Sequence, residues 1–239
     1  MARENGRAKI NIRRNKILDI LHKEKKVYIA ELSQELGASL VTIRNDLDTL
    51  ANEGKLIRMA GGAVLPSGGK DFPRSTIENY EQKQEIAANA AQLIQDGDTL
   101  FINSGTTTLL VAEALKARKN LSVVTNSLSV ATALGGVPTF RVILLGGTIN
   151  PQYNFTYGAD TQEYLNRFGA DWAILSVDGV SADGDISTCH AEEAILDRIM
   201  IARAKKVLIV ADSTKIGRTG FSYVSRCDEK IKILTNKKF

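Results

Sequence analysis

No run of 18 or more apolar residues occurs anywhere in this chain of 239 residues, which excludes a membrane-spanning helix of ordinary length. The N-terminal stretch is polar and basic and lacks the apolar segment of a secretory leader, so a cytoplasmic protein with no membrane contact is expected. Cysteine is scarce. Cys189 and Cys227 show no Cys-x-x-Cys spacing and meet only two histidines in the whole chain, which leaves reduced structural thiols as their reading. The neighbours Cys189 and His190 do not make a ligand set on their own, and neither a metal nor a cofactor is expected.

Charge is present but unevenly placed. Residues 1–70 hold 13 Lys/Arg against 8 Asp/Glu, whereas the remainder holds 18 against 19. A basic first segment on an otherwise balanced chain is the electrostatic footprint of a nucleic-acid partner. Any one of Arg13, Arg14, Lys16 or the run Lys23-Glu24-Lys25-Lys26 also fits a solvated helix surface; as a set they fit phosphate contacts better. The length suits one small module and one domain of about 170 residues, enough to bury a substantial core.

The run Ser39-Leu40-Val41-Thr42-Ile43-Arg44-Asn45-Asp46-Leu47 carries the strongest local signal. Ser39 is a good N-cap, Ile43, Leu47 and Leu50 recur at helical spacing, and Gly54 stands where a helix would stop. Val41, Thr42, Arg44 and Asn45 are left on the outer side of the helix start. In a helix-turn-helix that end of the second helix enters the major groove, where Arg pairs with guanine, Asn with adenine, and Thr offers a methyl or hydroxyl. Ile10, Ile17, Leu18 and Leu21 supply one apolar face, Ile29, Leu32 and Leu36 another, and Gly37 the tight turn. After Gly54, residues 55–65 read as two short strands around Gly61-Gly62, a β-wing with Arg58 placed for a phosphate or the minor groove. The expected DNA-contacting set is Arg13, Arg14, Ser39, Val41, Thr42, Arg44, Asn45 and Arg58, with the helix-turn-helix at about 26–45 inside a module spanning 1–65.

Pro66-Ser67-Gly68-Gly69-Lys70-Asp71-Phe72-Pro73 breaks every periodicity, so residues 66–76 read as a linker to a second domain at 77–239. There, helix-like segments around 82–95, 107–117, 128–134, 160–168 and 192–204 alternate with β-rich runs at 99–103, 121–125, 140–145, 172–177, 206–211 and 231–235. The fold class is therefore α/β: a winged helix-turn-helix followed by an α/β domain with a mainly parallel sheet, whose ligand site lies at the carboxyl ends of the strands. Ser104-Gly105-Thr106-Thr107-Thr108 joins one strand to one helix and places free amides and a helix dipole where an anion, most simply a phosphate, can bind. That string alone also fits an ordinary N-cap. Convergence with Asn126-Ser127, Gly146-Gly147, Asp178-Gly179, Glu192-Glu193 and Lys215 favours a site, offering amides for phosphate, carboxylates for sugar hydroxyls and an ammonium. The expected effector set is Ser104, Gly105, Thr106, Thr107, Thr108, Asn126, Ser127, Gly147, Asp178, Glu192 and Lys215.

Arg13-x3-Ile17-x3-Leu21, Ser39-x2-Thr42-Ile43-Arg44-Asn45-Asp46-Leu47 and Gly61-Gly62-Ala63, together with the loops just named and Asp212-Ser213-Thr214-Lys215-Ile216-Gly217, resemble the DeoR family of bacterial sugar-metabolism regulators over nearly the whole chain. The resemblance implies a repressor of a carbohydrate operon that binds double-stranded operator DNA; two-fold pairing would let two modules read a repeated half-site, so a homodimer or homotetramer is expected. It also implies a phosphorylated sugar as effector, in a domain similar in fold to ribose-phosphate isomerase and CoA transferases. Asn45 stands where many members carry a second Arg, Ala60 where many carry His, and Thr214 and Ile216 where Ser and Phe are frequent. Similar regulators usually continue past the position of Lys237-Lys238-Phe239 with a further short helix.

An enzyme is the alternative from another class. An aldose–ketose isomerase needs a general base beside the C1–C2 bond and a cation for the enediolate oxygen. Asp178, Asp183 and Glu192 offer carboxylates, but Asp185-Ile186-Ser187-Thr188-Cys189-His190 has no Lys where the isomerases have one, leaving His190 as the substitute acid. No catalytic residue is therefore assigned. A purely architectural DNA-binding protein would have no use for a row of polar loops at one sheet end.

Overall fold

The computed structural model describes residues 2–24, 26–52, 55–59, 61–64 and 77–236. The chain divides into two compact units, Met1–Glu78 and Asn79–Phe239. Gly54, Ala60 and the expected linker at 66–76 lie outside the described residues.

The first unit contains α1 (Ala2–Glu24), β1 (Lys26–Tyr28), α2 (Ile29–Leu36), α3 (Leu40–Asn52), β2 (Ile57–Met59) and β3 (Gly62–Val64). Its three helices close over Ile17, Leu21, Ile29, Leu32, Ile43, Leu47 and Leu50, with Val27 and Ala63 from the strands and Leu56 just before β2 completing the core. Ile10, expected in that core, is instead exposed; α1 enters the core only at Ile17. Gly37 ends α2 in the left-handed conformation (φ 59°), and Ser39 caps α3 by accepting the Thr42 amide at 3.1 Å. The wing has a third strand that sequence patterning did not show. β1 pairs antiparallel with β3 on the side opposite β2, and three residues are too few to display a period of two.

Asp46 is 2 % exposed and ties α1 to α3. It accepts Nε of Arg13 and, at 3.0 Å, Nε of Arg14, while Arg14 Nη2 donates to Thr49 Oγ1 at 3.0 Å. A buried carboxylate flanked by two half-buried guanidinium groups is stable only as a complete set.

The second unit is built on six parallel strands in the order β14-β12-β9-β4-β5-β6, namely β4 (Thr99–Ile102), β5 (Ser122–Thr125), β6 (Arg141–Leu144), β9 (Ala170–Ser176), β12 (Ala204–Val210) and β14 (Ile231–Leu234). Each central strand buries both faces, as parallel sheets do. Leu100, Ile102, Val123, Ile174, Leu208 and Val210 face α4 (Tyr80–Leu93), α5 (Thr106–Leu115) and α6 (Leu128–Gly135). Phe101, Val124, Ala173, Leu175, Val207 and Ile209 face the opposite side, with α7 (Ala159–Leu165) and α8 (Ala191–Arg203). A hairpin of β7 (Thr148–Asn150) and β8 (Phe155–Tyr157) and an antiparallel sheet of β10 (Gly179–Val180), β11 (Asp185–Thr188) and β13 (Ser222–Arg226) complete the unit. The chain winds outward from β4 to β5 and β6, then returns to the other side of β4 for β9, β12 and β14. The topological switch therefore lies between β4 and β9, where doubly wound sheets open a crevice at their carboxyl ends.

Asp46→Ala should strand both guanidinium groups and loosen the α1–α3 junction by about 2–3 kcal/mol. Faster amide hydrogen exchange across α3, with the second unit unaffected, is the expected reading; unchanged protection of α3 would contradict it.

Candidate functional site

The residues that follow β4 and β9 are bound to each other before any ligand is considered. Asn103 donates through Nδ2 to Ser176 O and to Asp197 Oδ1, both at 3.0 Å, and accepts the Ser176 amide on Oδ1 at 2.9 Å. This bridge extends the β4–β9 pairing past the last ladder bond. Gly105 follows so close to β9 that an added Cβ would sit 2.0 Å from Ser176 Oγ, so only glycine permits the approach.

Gly105 is the N-cap of α5. The first-turn amides of a helix have no carbonyl one turn back to bond, and together with the dipole they attract an anion. Lys83 of α4 brings a cation to the same place: its Nζ lies 3.1 Å from Thr106 Oγ1 and 3.7 Å from Asp212 Oδ2. Thr108 has a different task from the expected ligand contact. It is fully buried and its hydroxyl donates to Asn103 O (3.0 Å) and Gly105 O (3.1 Å), holding the loop from within.

Carboxylates gather on the β9 side. Asp178, two residues past β9, accepts Lys215 Nζ at 3.2 Å on Oδ1, and the Cys189 amide at 2.8 Å and Thr188 hydroxyl at 3.1 Å on Oδ2. Burial works to raise its pKa, but the Cys189 amide and the Lys215 ammonium together hold it below the ordinary value. Lys215, expected to supply cationic charge to an anion, thus first neutralises Asp178. Glu192 is exposed, and Glu193 is the member of the pair that turns inward, its Oε2 lying 3.4 Å from Thr188 Oγ1. Burial, then Asp197 and Asp178, push Glu193 up to about 8. Asp197 is raised in turn, chiefly by burial.

The β7–β8 hairpin lays Tyr153 against this cluster. Its ring centroid is 4.5 Å from that of His190, and Ser104 Oγ donates to its carbonyl at 3.2 Å. Burial first, then Asp178, Cys189 and Glu193, raise the Tyr153 pKa, which places the phenol among the same groups.

Further along the sheet end, Ser127 caps α6 by accepting the Val130 amide at 3.3 Å. Asn126 is buried, donates to Thr156 O at 3.4 Å, and leaves Oδ1 without a partner among the described residues. Gly147 has φ 138° and no room for a Cβ, which would meet Thr161 Oγ1 at 2.1 Å. Asn126 and Ser127 are buried and shape the loops from inside, whereas Gly147 is exposed at the same sheet end.

In the first unit, Val41, Arg44 and Asn45 are exposed on α3, Val41 at 62 %. Ser39 and Thr42 share a hydroxyl contact of 2.8 Å at the helix start. Arg58 reaches from the wing to Asp48 Oδ1 (2.8 Å) and Gly62 O (2.7 Å). Arg13, Arg14 and Arg58, expected on phosphates, thus all hold protein groups: the first two fix α3 on α1, and the third fixes the wing on α3.

Residues 13–68 match the model of the DeoR-like helix-turn-helix domain and residues 78–237 that of the DeoR C-terminal sensor domain. The chain belongs to the DeoR family. It is 35 % identical over 209 residues to the glycerol-3-phosphate regulon repressor of Escherichia coli, covering 86 % of this chain and 82 % of that one. To the transcriptional repressor GlcR of Bacillus subtilis it is 32 % identical over 229 residues, 92 % and 86 % of the two chains. To the lactose phosphotransferase system repressor of Lactococcus lactis it is 35 % identical over 212 residues, 86 % and 83 %. Among solved structures it is similar to ribose 5-phosphate isomerase A of Methanocaldococcus jannaschii, at 14 % identity, a TM-score of 0.44 and coverage of 58 % and 55 %. In this DeoR-family chain no helix among the described residues is long and apolar enough to cross a membrane.

Lys83, Asn103, Tyr153 and Asp197 were not singled out from sequence, and Glu193 was named only within the Glu192-Glu193 pair. A signal existed for Glu193, which precedes Asp197 by four residues and Met200 by seven, one stripe of α8 whose Asp197 and Met200 are buried. For Lys83, in Tyr80-Glu81-Gln82-Lys83-Gln84-Glu85, nothing in the local pattern separates a buried ammonium from a solvated one.

Lys83→Met should weaken binding of phosphate monoesters roughly 10- to 100-fold, the worth of one charge-assisted contact, read by calorimetry. Affinity equal to wild type would remove Lys83 from the anion site.

Proposed function

We propose that this chain represses a carbohydrate operon by binding double-stranded operator DNA through α3, and that a phosphorylated sugar bound at the carboxyl end of the parallel sheet alters that binding. The single observation that carries the effector half is the meeting of Lys83 with the α5 N-terminus at Thr106, beside an end of the sheet otherwise rich in carboxyl and hydroxyl groups. A cation and free amides suit the phosphate, and Asp178, Glu193 and the Tyr153 phenol suit oxygens of the carbon chain. Ser104, Gly105, Thr106 and Thr107 form the phosphate loop in this reading.

On the DNA side, Ser39, Val41, Thr42, Arg44 and Asn45 present the start of α3 to base edges, while Arg13, Arg14 and Arg58 act mainly by fixing the angle at which α3 is held. One winged module neutralises few phosphates, so a two-fold homodimer or homotetramer reading repeated half-sites is the expected assembly. A purely catalytic reading has the carboxyl cluster in its favour. Against it, Lys215 is paired with Asp178 and so is not free to stabilise an enediolate oxygen.

Arg44→Ala should cost about 1–3 kcal/mol on operator and relax preference at one base pair, measured by selection of bound fragments; unchanged preference would displace α3 as the reader. Sedimentation of a labelled operator with the protein, with and without a panel of sugar phosphates, reports stoichiometry and affinity together. Two or four copies per operator and a roughly 5- to 150-fold change in affinity with one ester are expected, matching a coupling of about 1–3 kcal/mol. Turnover of that ester, or indifference to the whole panel, would overturn the reading.

A further inference from the structure

Thr188 has one hydroxyl proton and two carboxyl neighbours. Asp178 is held in its ionised form by Lys215 Nζ at 3.2 Å and by the Cys189 amide at 2.8 Å, and it also takes the Thr188 hydroxyl proton at 3.1 Å. The same hydroxyl lies 3.4 Å from Glu193 Oε2, so carboxyl oxygens of Asp178 and Glu193 converge on one shared donor, and a proton on Glu193 is left for another partner. One turn further along α8, Asp197 is 1 % exposed, accepts from Asn103 on Oδ1, and has no partner for Oδ2 among the described residues. A second full negative charge so close to Asp178, with a buried carboxyl behind it, is the arrangement in which one carboxyl keeps its proton.

We propose that Glu193 is a neutral hydrogen-bond donor in the effector site, reading an acceptor oxygen on the carbon chain of a phosphate ester, so that effector sensing requires one retained proton. This rests on the sugar-phosphate reading of the site. The groups around Glu193 are Asp178 after β9, Thr188 and Cys189 at the end of β11, Tyr153 of the β7–β8 hairpin, and Glu192 and Asp197 on α8 itself. Lys215 and Arg198 complete the charged surroundings, the first paired with Asp178 and the second acting on Asp197. His190 stands at the α8 N-cap under Tyr153. The balance of these groups is negative, and burial adds to it, which is why Glu193 is pushed up to about 8.

The sign follows directly. A raised pKa keeps the acid protonated at pH 7, and the donor is lost as pH rises through about 8, where a carboxylate facing an anionic ligand replaces it. Effector affinity should therefore fall with a limiting slope of roughly tenfold per pH unit above 8.

Calorimetry with the full chain from pH 7.5 to 9.5 tests this, because a phosphate monoester, with a second pKa of about 6, keeps its charge over that range. Glycerol 3-phosphate and fructose 6-phosphate are the probes, and methyl phosphate, which has no hydroxyl to present, is the control. Wild type should lose more than tenfold in affinity for the ester it binds, with a flatter profile for methyl phosphate. Glu193→Gln, whose amide still donates, should bind that ester at pH 7.5 within about threefold of wild type and lose the slope. A Glu193→Gln protein that retains the slope, or that no longer binds the ester at pH 7.5, overturns the proposal. Independently of any ligand, the glutamate carboxyl resonance that disappears in Glu193→Gln should titrate near 8 in the carbon-labelled protein. Titration near the ordinary glutamate value overturns the donor role alone, whereas failure of every ester to bind overturns the sugar-phosphate reading together with it.

Discussion

The amide of Asn103 holds the functional end of the second unit together. It accepts from the Ser176 amide, donates to the Ser176 carbonyl and donates to the buried Asp197, so one side chain joins β4, β9 and α8 at the point where the sheet reverses its winding. Everything that could touch a ligand is placed relative to that junction. Gly105 can approach Ser176 because β4 and β9 are held at this spacing, the α5 N-terminus begins there, and Asp178 leaves β9 two residues later. A neutral amide suits the position, since it satisfies donors and acceptors on three elements without adding charge to a cluster already rich in carboxyl groups.

The same end of the sheet contains two electrostatic environments. At α5, Lys83 stands beside the first-turn amides and pairs with the buried Asp212, an arrangement the proposed reading assigns to negative charge. At β9 and α8, Asp178, Glu193 and Asp197 would repel it if all were ionised. Lys215 compensates Asp178, and the burial of Glu193 and Asp197 keeps them protonated toward neutral pH. In the proposed reading, a dianionic group would face α5 and neutral oxygens would face α8. The first unit applies a related device to structure, where Asp46 fastens two arginines that would otherwise be free for DNA, so the orientation of α3 depends on charges that do not themselves read sequence.

Much of this architecture was legible from residue order. The period of Ile43, Leu47 and Leu50 with Ser39 before it located α3 and its cap, because a helix cap and an apolar stripe are local properties. The alternation of helical and β-rich segments after residue 77 located all six strands of the parallel sheet, since strands buried on both faces read as apolar runs. Short strands escaped, β1 and β10 among them, because two or three residues cannot display a period. Glu192 and Glu193 both sit in the first turn of α8, and which of them turns inward depends on the rotation of that helix against the sheet, which residue order does not give.

The sequence by itself determined the two-part organisation, the reading helix, the parallel sheet and the loops at its carboxyl end, because each follows from periodicity, capping and turn chemistry within a few residues. Only the tertiary structure decided what each polar side chain does. It drew Arg13 and Arg14 onto Asp46, turned Thr108 into the loop, brought Lys83 from a preceding helix to the start of α5, and set Glu193 against Asp178 and Asp197. The arginine and Lys83 pairings join residues 23 to 129 positions apart, and every one of these outcomes depends on the loss of water around the groups, neither of which a local pattern encodes.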